Sequence, residues 1–270
     1  MQLSLLLSGP LGWLVIAYLG SLAVLLASSL WHINSFGDIV KTVSLTNFTE
    51  LTKPIYRTIT FRTVGLAAAV TVTTAVLAFP IAYTMAKFSG PRARRLLVVA
   101  VLLPLWASYV VKIYAWRAIL APEGVLNWML GPIGLHAPRS DNMSLWLVLT
   151  YLWLPYMILP VYAGLERIPD SLLDASSDLG ASPFTTFRKV ILPLAFPAVV
   201  AGSIFTFSLT LGDYITPTLV SGKQFIGNVI YSNVGVANNL PLAAAYATVP
   251  MVIMIGYLLV ARRLGAFENL

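Results

Sequence analysis

A chain of 270 residues with 58% hydrophobic and 10% charged residues is far from the soluble norm, in which about a quarter of residues carry charge. Its formal charge of +7 is spread over the connections between apolar blocks, so it speaks for topology in membrane lipid and not for a nucleic-acid partner. The absence of cysteine excludes a disulfide framework, a thiolate metal site and a cysteine nucleophile.

Six apolar stretches follow one another at about 11–31, 63–86, 96–120, 145–165, 194–219 and 242–261. Crossing hydrocarbon takes roughly 20 helical residues at about 1.5 Å each, so each stretch can span, and 1–270 reads as a single all-α integral membrane domain. Hydrocarbon offers no partner to backbone N–H and C=O groups, which leaves helices or a closed barrel. A barrel needs alternating segments of about 10 residues, whereas Gly65 to Ala82 is apolar or small on every face. Trp13 and Trp31 bracket the first stretch, about 27 Å apart along a helix, as interfacial aromatics do. A cleaved leader ending at Ala27-Ser28-Ser29 is the alternative, but no Lys or Arg precedes the stretch and its apolar run is too long. Pro80, Pro104, Pro155, Pro160 and Pro250 lie inside or near the ends of later stretches. Each removes a backbone hydrogen bond and favours a kink, unless a neighbouring helix satisfies the freed group.

Charge in the connections orients the spans, because Lys and Arg near helix ends stay on the cytoplasmic side. The second, fourth and C-terminal connections hold Lys87, Arg92, Arg94, Arg95, Arg167, Arg188, Lys189, Arg262 and Arg263. The first, third and fifth hold Lys41, Lys53, Arg57, Arg62, Arg139 and Lys223. Both termini are therefore expected in the cytoplasm.

The connection from Glu166 to Pro193 describes two short helices joined at a corner. Asp170 or Ser171 can cap the first, which runs through Leu172 to Leu179 and stops at Gly180, a residue suited to a left-handed position after a helix. Ser182-Pro183 opens the second, serine as N-cap and proline at the first helical position, with Phe184, Phe187, Val190 and Ile191 at helical spacing. Asp170, Asp174 and Asp178, four apart, make an acidic ridge along one edge of the first helix. Such a ridge is either a solvated face or a docking surface.

Asp174, Ala175, Ser176 and Gly180, followed by Val190, Leu192 and Pro193, stand at a distinctive spacing. Here the chain resembles the inner-membrane permeases of binding-protein-dependent ABC importers, whose cytoplasmic loop carries the EAA motif: E-A-A-x-x-x-G, then I-x-L-P. Asp replaces Glu, Ser the second Ala and Val the Ile. The resemblance implies the MetI-like permease fold in a bacterial inner membrane, with 166–193 carrying a coupling helix on which Asp170, Asp174, Ala175, Ser176, Asp178, Gly180 and Ala181 meet an ATPase subunit. It also implies a pair of ATPases that bind ATP and magnesium, a second homologous permease, an extracytoplasmic solute-binding protein, and no cofactor in this chain. Lys112-Ile113-Tyr114-Ala115-Trp116, Gly124-Val125-Leu126-Asn127, Leu154-Pro155-Tyr156 and Gly212-Asp213-Tyr214-Ile215-Thr216-Pro217 look like marks of the permeases for spermidine and putrescine, although Lys112 stands where that group often has Arg.

No G-x-x-x-x-G-K-[ST] loop occurs, so ATP is not cradled here by that motif. His32 and His136 have no metal-ligand spacing, and no metal site is expected. Ionisable residues within spans cost a few kcal/mol and tend to face a watery path. Lys112 and Arg117 can snorkel outward; Asp213 is too short to do so, which leaves a lumen-facing role or an ion pair with Lys112 or Arg117. Asp213 with Tyr109, Lys112, Tyr114, Trp116 and Tyr214 is the candidate pathway lining, a carboxylate among aromatic faces that favours a cationic amine. The plainer reading of the aromatics is packing or an interfacial belt. A secondary transporter driven by an ion gradient is the rival within transport. A membrane enzyme is the rival outside it, and no G-x-S-x-G, intramembrane histidine or carboxylate pair supports one.

Overall fold

The computed structural model describes residues 2–137 and 141–265. α1 (Gln2–Ser28) leads into a short antiparallel pairing of β1 (His32–Ile33) with β2 (Ile39–Val40), His32 opposite Val40. After α2 (Thr46–Leu51), α3 (Pro54–Tyr83) runs on into a π-helical turn over 84–88. Then follow α4 (Pro91–Trp106), α5 (Tyr109–Leu120), α6 (Val125–Leu130), α7 (Asp141–Glu166), α8 (Asp170–Asp178) and α9 (Pro183–Thr186). A second π turn over 187–191 joins α9 to α10 (Leu192–Gly212), and α11 (Ile215–Val220), α12 (Ile226–Gly235) and α13 (Leu240–Arg263) follow. Prolines open α3, α4 and α9, where a helix has no use for the missing N–H.

Among the described residues five helical segments, α1, α3, α7, α10 and α13 with the π turns that extend two of them, are long and apolar enough to cross a bilayer. Among the same residues a sixth crossing exists only if α4 counts together with 109–133, which begins with α5, and these two limbs meet at 93°. The stretch 96–120 is thus continuous in hydropathy and broken in space. Ala107 and Ser108 are extended, and the Lys112 ammonium donates to the Pro104 carbonyl at 3.0 Å, a group that the interrupted helix no longer serves. The stretch 194–219 breaks as well: α10 stops at Gly212, Asp213 is extended, and α11 starts at Ile215.

α3, α7 and α10 pack on one another at the centre. Where α3 stops and α10 starts, Met85, Met157, Val161, Leu165 and Ile191 are buried together; farther along, Val70, Ile113, Leu145, Leu149 and Leu152 form a second cluster. Phe207, Leu211, Ile226 and Tyr246 form a third, where α12 and α13 join. Lipid is as apolar as leucine, so close approach of backbones, not expulsion of water, holds such helices together. Two glycines permit that approach. A Cβ on Gly164 would lie 2.3 Å from the Ala198 Cβ, and one on Gly202 would lie 2.7 Å from the Met157 sulfur. α7 and α10 touch at both points. Leu14, Ile16 and Tyr18 of α1, by contrast, project outward, as lipid-facing residues do.

Gly164→Val should therefore overpack the α7–α10 seam and destabilise the protein by about 1–3 kcal/mol in detergent unfolding. Gly65→Ala, on an exposed helix face with nothing within 4 Å of the added carbon, should cost nothing. Equal stability of the two variants would contradict the close-packed seam.

Candidate functional site

The α8–α9 corner is built by local chemistry. α8 ends in a Schellman turn: the Gly180 N–H donates to the Ser177 carbonyl at 2.8 Å and the Ala181 N–H to the Ser176 carbonyl at 3.1 Å, with Gly180 at φ +74°. Ser182 then accepts from the Thr185 N–H and opens α9 behind Pro183. The Ser176 and Thr186 hydroxyls meet at 2.9 Å and hold the two short helices together. The cap of α8 differs from expectation. Pro169 is the N-cap residue and no side chain caps the helix; the Asp170 carboxylate turns to the Lys87 ammonium instead, at 2.7 Å.

Of the corner residues, Asp174, Ala175, Asp178 and Gly180 lie exposed, whereas Ser176 and Ala181 are half-buried against α9. Leu173, Phe187 and Ile191 point into the bundle. Leu179 and Phe184 do the opposite, 88% and 69% exposed. Two apolar side chains beside two free-standing carboxylates form an outward surface that the chain itself does not cover.

Two cations fasten the corner to the rest of the bundle. Lys87, its side chain only 9% exposed, donates to the Ile168 carbonyl at 2.6 Å as well as to Asp170. Arg94 spreads its guanidinium over the Met85 and Ala86 carbonyls, at 3.2 and 2.8 Å, and the Glu166 carboxylate at 3.2 Å. The carbonyls belong to helix ends that lack their own donors. The loop between α3 and α4 is thereby joined to the loop between α7 and α8.

A second centre lies at the break between α10 and α11. The buried Asp213 carboxylate accepts from the N–H groups of Ile215 and Thr216, at 2.9 and 3.2 Å, from the Thr216 hydroxyl and from the Tyr109 hydroxyl. It caps α11 and draws in the first residue of α5. Neither Lys112 nor Arg117 pairs with it: Lys112 serves Pro104, and the Arg117 guanidinium sits 5.7 Å above the Tyr114 ring. A Cβ on Gly227 would come within 2.8 Å of the Asp213 carbonyl oxygen, so α12 starts directly against the break.

Beside Asp213 opens a hollow of about 330 Å³ lined by Tyr109, Trp153, Ser208, Leu209, Gly212, Asp213, Tyr214 and Ile215. Tyr109 stacks on Trp153 and Tyr214 on Tyr231. Three of the six pathway candidates, Tyr109, Asp213 and Tyr214, thus share one hollow. Lys112, Tyr114 and Trp116 do not line it; Trp116 lies against Tyr151. Trp153 belongs to the hollow and escaped the sequence reading, because one tryptophan inside an apolar helix looks like any other core residue. In the sequence Lys87 and Arg94 are topology charges like their neighbours, and nothing local marks them as caps. Among the described residues no three His, Cys, Asp or Glu side chains gather to hold a metal.

Residues 78–266, which include the corner and the α10–α11 break, match the family described as the binding-protein-dependent transport system inner membrane component. The chain belongs to this family of permeases. It is 46% identical over 285 residues, 99% of this chain and 91% of the relative, to the inner membrane ABC transporter permease protein YdcU of Escherichia coli strain K12. It is 33% identical to the spermidine/putrescine transport system permease protein PotB of Haemophilus influenzae, over 79% of this chain and 77% of that protein. Its fold is that of a chain in the crystal structure of a bacterial alginate ABC transporter in complex with alginate pentasaccharide-bound periplasmic protein: TM-score 0.76 at 16% identity, covering 98% of this chain and 95% of the other. The permease is thus an all-α membrane protein of the MetI-like type.

In this permease the hydrogen bond from Lys87, and then its charge, hold the exposed Asp170 carboxyl below the ordinary aspartate range. A carboxyl depressed in the folded state contributes its tie at neutral pH and loses it only as pH falls through the depressed value. A carbon-13 titration of Asp170 should show a midpoint that Lys87→Met raises towards the ordinary aspartate range; equal midpoints in the two proteins would dissolve the clamp.

Proposed function

We propose that this permease is one of two membrane subunits of an ABC importer for polyamines, spermidine and putrescine, or a related small cationic solute. In this reading a binding protein delivers the solute from outside, and a pair of ATPases, which carry the ATP and magnesium, drives alternating access. The observation that carries it is the α8–α9 corner. Its Schellman turn, its exposed Leu179 and Phe184 and its free Asp174 and Asp178 form a docking surface that the chain leaves uncovered. Asp170, Ala175, Ser176, Gly180 and Ala181 shape that surface. Nine basic residues lie in the connections on the corner's side, which supports an orientation with the corner and both termini in the cytoplasm.

The hollow beside Asp213 is the proposed outer part of the pathway. The aromatic faces of Tyr109, Trp153 and Tyr214 beside a carboxylate suit a cationic amine. The name of PotB supports a polyamine as the solute. A second reading, a different small solute, is favoured by the higher identity to YdcU, whose name specifies none.

Cells lacking the chain should regain uptake of labelled spermidine or putrescine with the wild type and not with Gly180→Val. A β-branched residue at φ +74° costs about 1–2 kcal/mol in backbone strain alone, and with nothing within 4 Å of the added carbon the damage is confined to the turn. Uptake restored equally by both, at equal amounts in the membrane, would sink the coupling role. No polyamine uptake with every partner present would sink the polyamine assignment and favour another solute.

A further inference from the structure

α4 is tied at both ends to elements far from it in sequence, and its second tie is the first residue of α5. At one end Arg94 of α4 holds the Glu166 carboxylate where α7 stops, while its other donors cover the last carbonyls of the α3 extension. At the other, just past the bend, the Tyr109 hydroxyl of α5 donates a hydrogen bond to the Asp213 carboxylate at the break between α10 and α11. Between these two anchors the chain turns by 93°, and Lys112 spans the bend by donating to Pro104. A helix pinned at its start and just past its bend by hydrogen bonds passes a displacement of one pin on to the other.

Capping of helix-end carbonyls accounts for part of what Lys87 and Arg94 do, but not for their carboxylate partners. Asp170 and Glu166 are exposed or half-exposed carboxylates, and ion pairs of that kind stabilise a fold by little. Lys87 nevertheless keeps a nearly buried ammonium there, with the Ile168 carbonyl between α7 and α8 as its second acceptor. Both cations grip the three-residue connection, Arg167 to Pro169, or its edges, and that connection is what α8 hangs from.

We propose that Lys87 and Arg94 are positioning residues for energy coupling: they make the bent α4–α5 pair follow α8, and so carry a displacement of the corner to the Tyr109–Asp213 contact beside the hollow. This rests on the docking role proposed for the corner. Without the two cations, α8 shifts against the close-packed α7–α10 frame while α4–α5 stays behind.

The chain has no cysteine, so two can be placed at will. Spin labels at Val111→Cys of α5 and Phe205→Cys of α10, both on exposed side chains, report the separation of these helices. The importer, assembled with its ATPase, second permease and binding protein, is measured free of nucleotide and trapped with ATP and vanadate. The distance should change on trapping in the parent, and Lys87→Met with Arg94→Gln should cut that change to less than about half while vanadate trapping itself persists. Lys87→Arg, which keeps charge and donors, should keep the change. A purely structural role would lower yield and trapping instead. A full change in the double variant, or trapping in the parent with no change, overturns the proposal. Failure of the ATPase to associate with the parent at all removes the docking role first and this inference with it.

Discussion

A helix that stops inside an apolar solvent leaves backbone N–H and C=O groups with no partner, and hydrocarbon supplies none. That constraint decides where this permease spends its scarce polar side chains. Asp213 receives the first N–H groups of α11, Lys112 serves a carbonyl of α4, and Arg94 and Lys87 serve the carbonyls where α3 and α7 run out. Asn47, buried beneath the first connection, donates to the Ser29 and Trp31 carbonyls past α1. Apart from Asp213, each of these is a charge or amide that reads in isolation as an interfacial or solvated residue.

Once the ends are satisfied, breaks become affordable and useful. The interruption at Ala107–Ser108 turns one apolar stretch into a bent pair, and that at Asp213 turns another into a long helix with a short one set across it. The two breaks meet through Tyr109 and Asp213, and a hollow opens beside their meeting point. Unbroken helices through the same stretches would bring neither group there. The close α7–α10 seam at Gly164 and Gly202 supplies the fixed frame against which the broken elements are held.

What could be read from the sequence was local. Gly180 and Ser182-Pro183 announce their conformations within a few residues, and both stand as expected. Apolar blocks locate the helices, since hydropathy sums over neighbours in the chain. Hydropathy cannot see a break that keeps the residues apolar, and so 96–120 and 194–219 read as single helices. Asp213 was legible as an unusual intramembrane acid, but its partners, Tyr109 and Thr216, lie on a neighbouring helix and across a break that no periodicity reveals. Asp170 looked like a cap because it stands where a cap would; Lys87, more than eighty residues away, takes its carboxylate instead.

Docking of an ATPase on the uncovered surface of the α8–α9 corner can be tested with a single cysteine at Leu179, introduced into a chain that has none. In membranes containing the assembled importer, a short thiol-directed cross-linker at Leu179→Cys should capture the ATPase subunit. Leu135→Cys, on an exposed side chain beyond α6, should not. Capture from Leu135 and none from Leu179, with transport intact in both, would contradict the docking of an ATPase on this corner.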